Sequence, residues 1–265
     1  AKSFKYGTTK DYILNLKVVL ADGSIMMLGA NTIKDAVGYH LNQLIVGSEG
    51  TLAVVVEAEL KLIPKPETTR VVTAYFDRIE DATSAVTEIM RASVFPATID
   101  FMDNNSITTV EKFYPCGLDT EKNAMLLIEL DGFESSMLTQ QERVESALIK
   151  ANASKIETKI SLEEQEAVWT ARRASFAATA KLAPDVVSDD IIVPRDKLAQ
   201  MVKGAKEICD KFGLQVCIVG HVGDGNIHPQ AALNLENDNE FKNYIEAKSE
   251  MYKLATSLGG TISAE

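Results

Sequence analysis

Histidine, cysteine and tryptophan are all scarce in this chain, which has three histidines, three cysteines and one tryptophan in 265 residues. The cysteines have no spacing typical of a metal site, and an odd number does not make a disulfide framework. They predict reduced thiols and a cytoplasmic protein, with attachment to the inner face of a membrane left open. No apolar run approaches the roughly 18 residues of a transmembrane helix, and the first residues, AKSFKY, do not resemble a signal peptide.

Positive charge is also in short supply. Lysine and arginine together number 27 against 38 aspartates and glutamates, which gives a formal net charge of −11. This charge argues against nucleic acid or an anionic membrane as the main partner. A small anionic substrate is still compatible, because a local cationic pocket can oppose the overall field.

The hydrophobic pattern changes near Pro64 and Pro66, which we interpret as a domain boundary. Before it, residues 11–29 read as strand, turn and strand, and a second such region has strands at 44–46 and 51–62. After it, strands alternate with helices, which predicts an α+β fold with an open sheet covered by helices. Both ends of the chain run directly into regular sequence patterns, as expected for a fragment of a longer protein.

The periodicity of apolar residues also gives individual elements in the second part of the chain. The predicted strands are 71–76, 97–102, 124–130, 155–159, 186–193, 214–219 and 227–235. The predicted helices are 82–90, 104–113, 134–150, 162–181, 198–212 and 241–255.

Two of the three histidines flank the stretch HVGDGNIH at residues 221–228. Its Asp-Gly and Gly-Asn pairs favour a tight turn between two apolar strands. Such a loop can bring His221 and His228 together, and two neutral imidazoles suit a divalent ion of the zinc class. A glycine-rich hairpin with two incidental histidines fits the spacing as well. A metal would need a third ligand from elsewhere, and a carboxylate is the best candidate.

A second glycine-containing stretch, VGSEGTL, covers residues 46–52. A Gly-Ser-X-Gly turn exposes backbone N–H groups and a hydroxyl that suit an anion or the polar edge of a cofactor. It lacks the lysine of a phosphate-binding P-loop and the third glycine of a dinucleotide fingerprint. On local sequence alone, a plain hairpin turn is the better interpretation.

Two arginines, Arg172 and Arg173, interrupt the otherwise apolar stretch VWTARRASFAA. One of them is expected near the buried side of its helix. There it would pair with an acid such as Asp189 or Asp190, or bind an anionic substrate through two parallel hydrogen bonds. The remaining histidine, His40, is predicted to be structural or solvent-facing.

Six stretches occur in an order found in one known family. They are YGTTKDYILNLKVVLADGSI, KDAVGYHLNQLIVGSEGTL, VWTARRASF, APDVVSDDIIVP, GHVGDGNIHPQ and GGTISAE. In this combination the chain resembles the FAD-linked 2-hydroxy-acid dehydrogenases, namely the glycolate oxidase flavoprotein subunit, D-lactate dehydrogenase and D-2-hydroxyglutarate dehydrogenase. These are flavoproteins of the vanillyl-alcohol-oxidase type.

The resemblance implies a domain organisation. Residues 1–65 would be the closing part of a VAO/PCMH-type FAD-binding domain. Residues 66–265 would be the FAD-linked oxidase C-terminal domain, a ferredoxin-like antiparallel sheet covered by helices and truncated at its C-terminus. Two family features are missing from the chain: the upstream glycine-rich loop that holds the FAD pyrophosphate, and the histidine that ordinarily follows Ser-Ala-Glu. The fragment alone is therefore expected to be inactive.

The same resemblance implies roles for individual residues. His221, His228 and Glu265 match three ligands of a divalent metal, zinc or similar. Arg172 matches the arginine that binds the substrate carboxylate, and Gln230 falls where relatives have a polar substrate contact. In the first domain, four consecutive residues match the segment lying along the flavin: Gly47, Ser48, Glu49 and Gly50.

The implied reaction is oxidation of a small D-2-hydroxy acid, of the glycolate or D-lactate class, to the 2-oxo acid. Hydride passes to FAD while a divalent metal orients the substrate. The electron acceptor is not identified, and partner subunits of the flavoprotein or iron–sulfur kind, or a homodimer, are compatible with the sequence. Two alternatives are a metal-dependent hydrolase that uses the same His-His-Glu set and a non-catalytic subunit of a flavoprotein complex.

Overall fold

A computed structural model describes residues 1–262, and the chain divides into two compact units. The smaller unit is Tyr6–Lys65. The larger unit joins Ala1–Lys5 to the described residues from Pro66 onwards. No helix in the described part of the chain is both long enough and apolar enough to cross a membrane.

The elements of residues 1–262 follow in chain order. The strands are β1 (Ile13–Val19), β2 (Ile25–Gly29), β3 (Val54–Leu60), β4 (Thr68–Phe76), β5 (Thr98–Asp103), β6 (Ala124–Gly132), β7 (Lys155–Lys159), β8 (Asp185–Ser188), β9 (Ile191–Ile192), β10 (Gln215–Gly220) and β11 (Asn226–Leu233). The helices are α1 (Ser3–Tyr6), α2 (Leu41–Ile45), α3 (Ile79–Arg91), α4 (Asn104–Phe113), α5 (Glu134–Lys150), α6 (Leu162–Arg173), α7 (Ser175–Thr179), α8 (Leu198–Lys211) and α9 (Asp238–Ser257).

The smaller unit is an antiparallel sheet in the order β2-β1-β3. Its central strand buries Leu16 and Val18 in a small core that includes Ile45 of α2. The strand predicted at residues 44–46 is wrong, because this segment belongs to the end of helix α2. Asn42 and Ile45 are the buried residues of α2, and their three-residue spacing is that of a helix face.

The larger unit is built on one antiparallel sheet in the order β7-β4-β6-β5-β10-β11-β8, with β9 also paired to β11. The segment β4-α3-β5-α4-β6-α5-β7 gives the sheet order β7-β4-β6-β5, in which the fourth strand lies beside the first and the third between the first and second. This is the ferredoxin-like arrangement. The structure therefore confirms the predicted α+β fold with an antiparallel, ferredoxin-like sheet.

Helices cover both faces of this sheet, as the alternation along β6 shows. Leu126, Ile128 and Leu130 belong to the core formed with α3, α5, α8 and α9. Met125 and Leu127 belong to a second core, formed with α4, α6 and α7. Because both faces are buried, β6 reads as a continuous apolar run, and each such side chain contributes about 1.5–3 kcal/mol to folding.

Two predicted elements are divided in the structure. The predicted helix 162–181 is two helices, α6 and α7, separated at Ala174. The predicted strand 186–193 is the two short strands β8 and β9, separated by Asp189 and Asp190. Apolar periodicity continues across both interruptions, so hydrophobicity alone does not mark them.

Candidate active site

The hairpin β10–β11 positions the two histidines, and its glycines are needed for the chain to close. Val219 pairs with His228 across the two strands. A Cβ on Gly220 would lie 2.4 Å from the carbonyl oxygen of Asn226. Gly225 has φ +88°, and a Cβ there would lie 2.2 Å from the carbonyl oxygen of Val193. Any larger residue at these positions would displace the backbone that carries the histidines.

The hairpin brings His221 and His228 together, with ring centroids 5.3 Å apart and planes at 79°. The Nδ1 atom of His221 lies 2.8 Å from Oδ1 of Asp100. The Nδ1 atom of His228 lies 3.7 Å from Oδ1 of Asp190. Carboxylates beside Nδ1 are the usual partners of metal-binding histidines, because they favour a proton on Nδ1 and a lone pair on Nε2.

The donor chemistry of the two rings therefore fits a divalent metal. Glu265, the third ligand implied by the sequence, lies outside the described residues. Within residues 1–262, no group of three histidine, cysteine, aspartate or glutamate side chains is arranged to hold a metal ion. The His-His-Glu site stays a prediction.

Arg172 pairs with Asp100, and the expected pairing with Asp189 or Asp190 is wrong. Its Nε atom lies 3.0 Å from Oδ2 of Asp100, an ion-pair contact whose geometry is not that of a hydrogen bond. Its Nη1 donates to Oγ of Ser175 at 3.3 Å. Asp100 therefore faces the Nε edge and Ser175 takes one N–H of Nη1, while the second N–H of Nη1 and those of Nη2 are the donors for a carboxylate ligand.

Asp100 lies inside β5 and is only 2% exposed. Burial by itself would raise the pKa of this carboxyl, but the hydrogen bond from His221 and the charge of Arg172 together hold the pKa below its ordinary value. The carboxylate of Asp100 thus gives one oxygen to the histidine and the other to the arginine.

The two acids first considered for Arg172 serve other contacts. Asp189 accepts hydrogen bonds from the hydroxyls of Tyr244 and Tyr252, at 2.9 and 2.8 Å, and pairs with Lys248 at 2.9 Å. These three partners lie on α9, so Asp189 attaches that helix to the chain between β8 and β9. The neighbouring Asp190 faces His228, as described above.

Arg173, by contrast, lies on the exposed side of α6 and pairs there with Glu166. Its side chain is 58% exposed against 11% for Arg172. The buried arginine that the apolar helix predicted is therefore Arg172.

Gln230 lies two residues beyond His228 on β11 and is 5% exposed. Its amide oxygen lies 3.1 Å from the hydroxyl of Thr179, which also donates to the carbonyl oxygen of Ser175 at 2.9 Å. The strand and helix α7 thus hold the Gln230 side chain in one position.

These groups line one cavity of about 570 Å³. Its charged and polar lining includes two arginines, a lysine, three carboxylates, two imidazoles and an amide, and its walls include apolar side chains. A volume of this order holds a small molecule, and the polar set suits an acid bearing a hydroxyl group. The lining residues that carry this argument are Arg172, His221, His228, Gln230, Trp169 and Phe176.

The Gly47–Gly50 segment lies in the smaller unit. It follows helix α2 and precedes β3, so the simple hairpin turn between two strands is wrong. Gly47, Glu49 and Gly50 all have positive φ, at 86°, 51° and 75°. A non-glycine residue with positive φ is uncommon and often marks a functional segment. Contact of Gly47, Ser48, Glu49 and Gly50 with a flavin stays a prediction.

Asp100 is the site residue that the sequence reasoning missed. A signal was present, because ATIDFM places one acid within an otherwise apolar strand. A carboxylate buried in a sheet requires charged or hydrogen-bonding partners. That requirement alone could have directed attention to an arginine or a histidine.

Comparison with known proteins gives consistent results. Residues 65–265 match the family described as FAD linked oxidases, C-terminal domain. The chain is 39% identical over 264 residues to glycolate oxidase subunit GlcD of Bacillus subtilis (strain 168), covering 100% of this chain and 56% of that protein. It is 33% identical over 265 residues to D-lactate dehydrogenase of Archaeoglobus fulgidus, covering 100% of this chain and 57% of that protein.

Among solved structures, a crystal structure of p-cresol methylhydroxylase with substrate bound aligns with a TM-score of 0.74 and 15% identity. The alignment covers 95% of this chain and 57% of that one, and at this identity it supports the fold alone. The chain thus spans little more than half the length of the proteins it matches. The resemblance inferred from its motifs is confirmed, and the chain belongs to the family of FAD-linked oxidases through their C-terminal domain.

Proposed function

We propose that the complete protein oxidises a small D-2-hydroxy acid, of the glycolate or D-lactate class, to the 2-oxo acid. The observation that supports this most is one ionised carboxylate, Asp100, joined to both Arg172 and His221 at a small cavity. The names of the relatives, a glycolate oxidase subunit and a D-lactate dehydrogenase, agree with a substrate that carries a carboxylate and an adjacent hydroxyl.

In this proposal Arg172 binds the substrate carboxylate. Its Nε edge faces Asp100, so the two Nη atoms form the donor pair for the ligand. A planar guanidinium with one edge fixed can hold a carboxylate through two parallel hydrogen bonds. Gln230 provides a second polar contact, held in place by Thr179.

His221 and His228 are proposed to hold a divalent metal of the zinc class, together with Glu265. Asp100 lies within hydrogen-bond distance of Nδ1 of His221 and favours a lone pair on Nε2 of that ring, while Asp190 lies 3.7 Å from Nδ1 of His228. When bound, such a metal polarises the substrate hydroxyl and lowers its pKa. The chain's own residues then fix the substrate at two points, its carboxylate at Arg172 and its hydroxyl near the histidines. FAD supplies the hydride acceptor when it is bound.

The two compact units correspond, in our proposal, to parts of two domains. Residues 1–65 close the FAD-binding domain, with Gly47–Gly50 along the flavin, and residues 66–265 form the C-terminal domain that carries the substrate site. Because the relative from Bacillus subtilis is named a subunit, we also propose that the complete protein works with partner subunits that take electrons from the flavin. The free thiols of Cys116, Cys209 and Cys217 support a cytoplasmic location.

The test is turnover of glycolate and D-lactate by the complete protein with a dye as electron acceptor. We expect His228→Ala to abolish turnover, and His40→Ala, an exposed histidine of the smaller unit, to leave it unchanged. Exhaustive chelation should also stop the reaction, and added zinc should restore it. Full activity of chelated protein that contains no divalent ion would contradict the metal role, and hydrolytic activity without bound flavin would favour the metal-dependent hydrolase.

A further inference from the structure

We propose that Asp100 is a positioning residue that sets, through one carboxylate, both the orientation of Arg172 and the proton position on His221. The inference deepens the function proposed above and rests on it for the roles of these two partners. Asp100 touches neither substrate nor metal in this scheme. Its effect passes through the guanidinium and the imidazole.

The three residues lie on three different elements. Asp100 is an interior residue of β5, Arg172 lies at the end of α6, and His221 directly follows β10. β5 pairs with β6 on one side and β10 on the other, and Asp100 is 2% exposed. The carboxylate is therefore fixed by the sheet, and the two side chains take their positions from it.

The short contact determines which nitrogen of His221 carries the proton. A carboxylate oxygen and an unprotonated ring nitrogen are both acceptors and cannot remain 2.8 Å apart. Because the other oxygen of this carboxylate lies 3.0 Å from the guanidinium of Arg172, the carboxylate keeps its negative charge and the proton between them belongs to the ring. The amino nitrogen of Ala1 also lies 2.9 Å from Nδ1 and 3.7 Å from the same carboxylate oxygen. An amino N–H directed at Nδ1 would compete with the ring proton, and we assign the proton to the shorter contact, with the carboxylate.

A proton on Nδ1 makes Nε2 the lone-pair nitrogen in the neutral ring. This is the tautomer that ligates a metal through Nε2. Asp100 thus selects the metal-binding form of His221 before any metal arrives. The other carboxylate oxygen, Oδ2, faces the Nε edge of Arg172, so that its Nη edge is the one offered to an anion.

Asp100→Asn is a sharp test, because an amide has one acceptor where the carboxylate has two. Arginine stays charged, so the amide oxygen should turn to Arg172 and the amide NH₂ to Nδ1 of His221. That nitrogen must then accept, which moves the ring proton to Nε2. A near-isosteric change should therefore convert His221 to the tautomer that cannot ligate through Nε2.

Histidine ¹⁵N spectra of the 265-residue chain can show this directly, because only three histidines contribute signals. At alkaline pH, where the rings are neutral, we expect the Nδ1–H tautomer for wild-type His221 and the Nε2–H tautomer in Asp100→Asn. An acetylated N-terminus should give the same result. In Asp100→Asn with Arg172→Met, the amide oxygen is released from the arginine and the Nδ1–H form should return. An Nε2–H tautomer in the wild type would overturn the inference, even if the variants fail to fold.

Asp131→Asn is the matched control, since Asp131 is also 2% exposed, lies on the adjacent strand β6 and pairs with Lys5. It should leave the His221 tautomer unchanged. The same change of the His221 tautomer in both variants would indicate a general loss of structure and would contradict a specific role for Asp100.

In the complete protein, Asp100→Asn should weaken zinc retention by about 10–100-fold. It should also raise KM for the hydroxy acid by roughly tenfold or more through Arg172. Unchanged zinc retention and KM in Asp100→Asn, beside an active zinc-containing wild type, would refute the positioning role. A wild type without metal or turnover would instead refute the proposed function, and the tautomer measurement would still decide whether Asp100 controls His221.

Discussion

At the scale of single residues, the site depends on which edge of each polar side chain is already occupied. The Nε edge of Arg172 faces Asp100 while its neighbour Arg173 pairs with Glu166 near the surface. The two adjacent arginines therefore have different environments. Both arginines line the cavity together with the two histidines, but only Arg172 is paired with a carboxylate inside the sheet.

Arg172→Lys should therefore raise KM for the hydroxy acid by roughly tenfold or more in the complete protein, because lysine cannot make the paired planar contact. The flavin spectrum should stay normal. Arg173→Lys should change KM little, since the exposed pair with Glu166 is screened by solvent. Steady-state kinetics of both variants would check this. Unchanged KM in Arg172→Lys would assign that residue a structural role only.

Sequence reasoning at this scale identified the residue types but not their partners. The apolar helix around Arg172 indicated a buried arginine, because a charge on that face must be compensated. It could not identify Asp100, since the contact joins two residues, one on α6 and one on β5, that are 72 positions apart in the chain. The nearer acids were the wrong choice because Asp189 is committed to α9.

At the scale of elements, the hairpin β10–β11 is specified by close backbone contacts. Gly225 combines a positive φ with a backbone atom 2.2 Å from any added Cβ. Gly213, at the end of α8, has φ +67° and open space around the same position. Substitutions at the two glycines therefore distinguish the free-energy cost of a left-handed backbone from the additional cost of a steric clash.

We expect Gly213→Ala to lower the free energy of unfolding by about 1–2 kcal/mol, the cost of a left-handed backbone. Gly225→Ala should lower the free energy of unfolding by about 1–3 kcal/mol more than Gly213→Ala does, because the carbonyl of Val193 must also move. Urea unfolding of the two variants beside the wild type measures the difference. Equal losses of unfolding free energy in the two variants would show that the loop accepts a side chain at Gly225 without a steric clash.

Asp103, which caps helix α4, gives a pH-dependent prediction. Its Oδ1 accepts hydrogen bonds from the backbone and hydroxyl of Ser106 and from the backbone of Ile218. Burial is the largest influence and raises its pKa above the ordinary 3.8, although these bonds oppose the rise. The folded protein therefore keeps a proton that the unfolded chain releases, and this group makes stability fall as pH rises above about 3.8.

Asp103→Asn keeps a capping oxygen but removes the titration. As pH rises above about 4, the variant should lose less stability than the wild type. Urea unfolding of the chain at a series of pH values would check this. Parallel pH profiles of wild type and variant would contradict the raised pKa.

The accuracy of element prediction followed the strength of the local signal. The long amphipathic helix 134–150 and the strand 155–159 were predicted with the bounds that the structure has. The strand predicted at 44–46 was wrong, because a short apolar run fits both the helical and the strand period. Packing on β1 determines that this segment is part of helix α2. The break between helices α6 and α7 at Ala174 could not be predicted from the sequence, because the apolar periodicity continues across it.

At the scale of the whole molecule, family and fold could be predicted because several motifs occur in order along nearly the entire chain. Each motif alone was weak, and the combination carried the resemblance. The cavity could not be predicted in this way, since it depends on how α6 and α7 lie across the ends of distant strands. The contribution of Glu265 also lies outside the described residues, so the complete metal site is still a prediction.

The glycine-rich loop that the resemblance implies for the FAD pyrophosphate does not occur among these 265 residues. We therefore expect the chain alone to bind FAD weakly or not at all, and to contain little metal, while the complete protein should hold both. Absorption spectra and metal analysis of the two purified proteins would measure this. Stoichiometric, tightly held FAD on the 265-residue chain would contradict our division of the domains.

The most direct test of the proposed function is the visible absorption spectrum of the complete protein during anaerobic addition of glycolate, D-lactate and D-2-hydroxyglutarate. Hydride transfer to FAD bleaches the oxidised flavin, so we predict rapid loss of its absorbance with at least one of these acids and formation of the matching 2-oxo acid. The Arg172→Lys variant should require a higher concentration of the same acid. Flavin that stays oxidised with all three, in protein containing FAD and metal, would contradict the account.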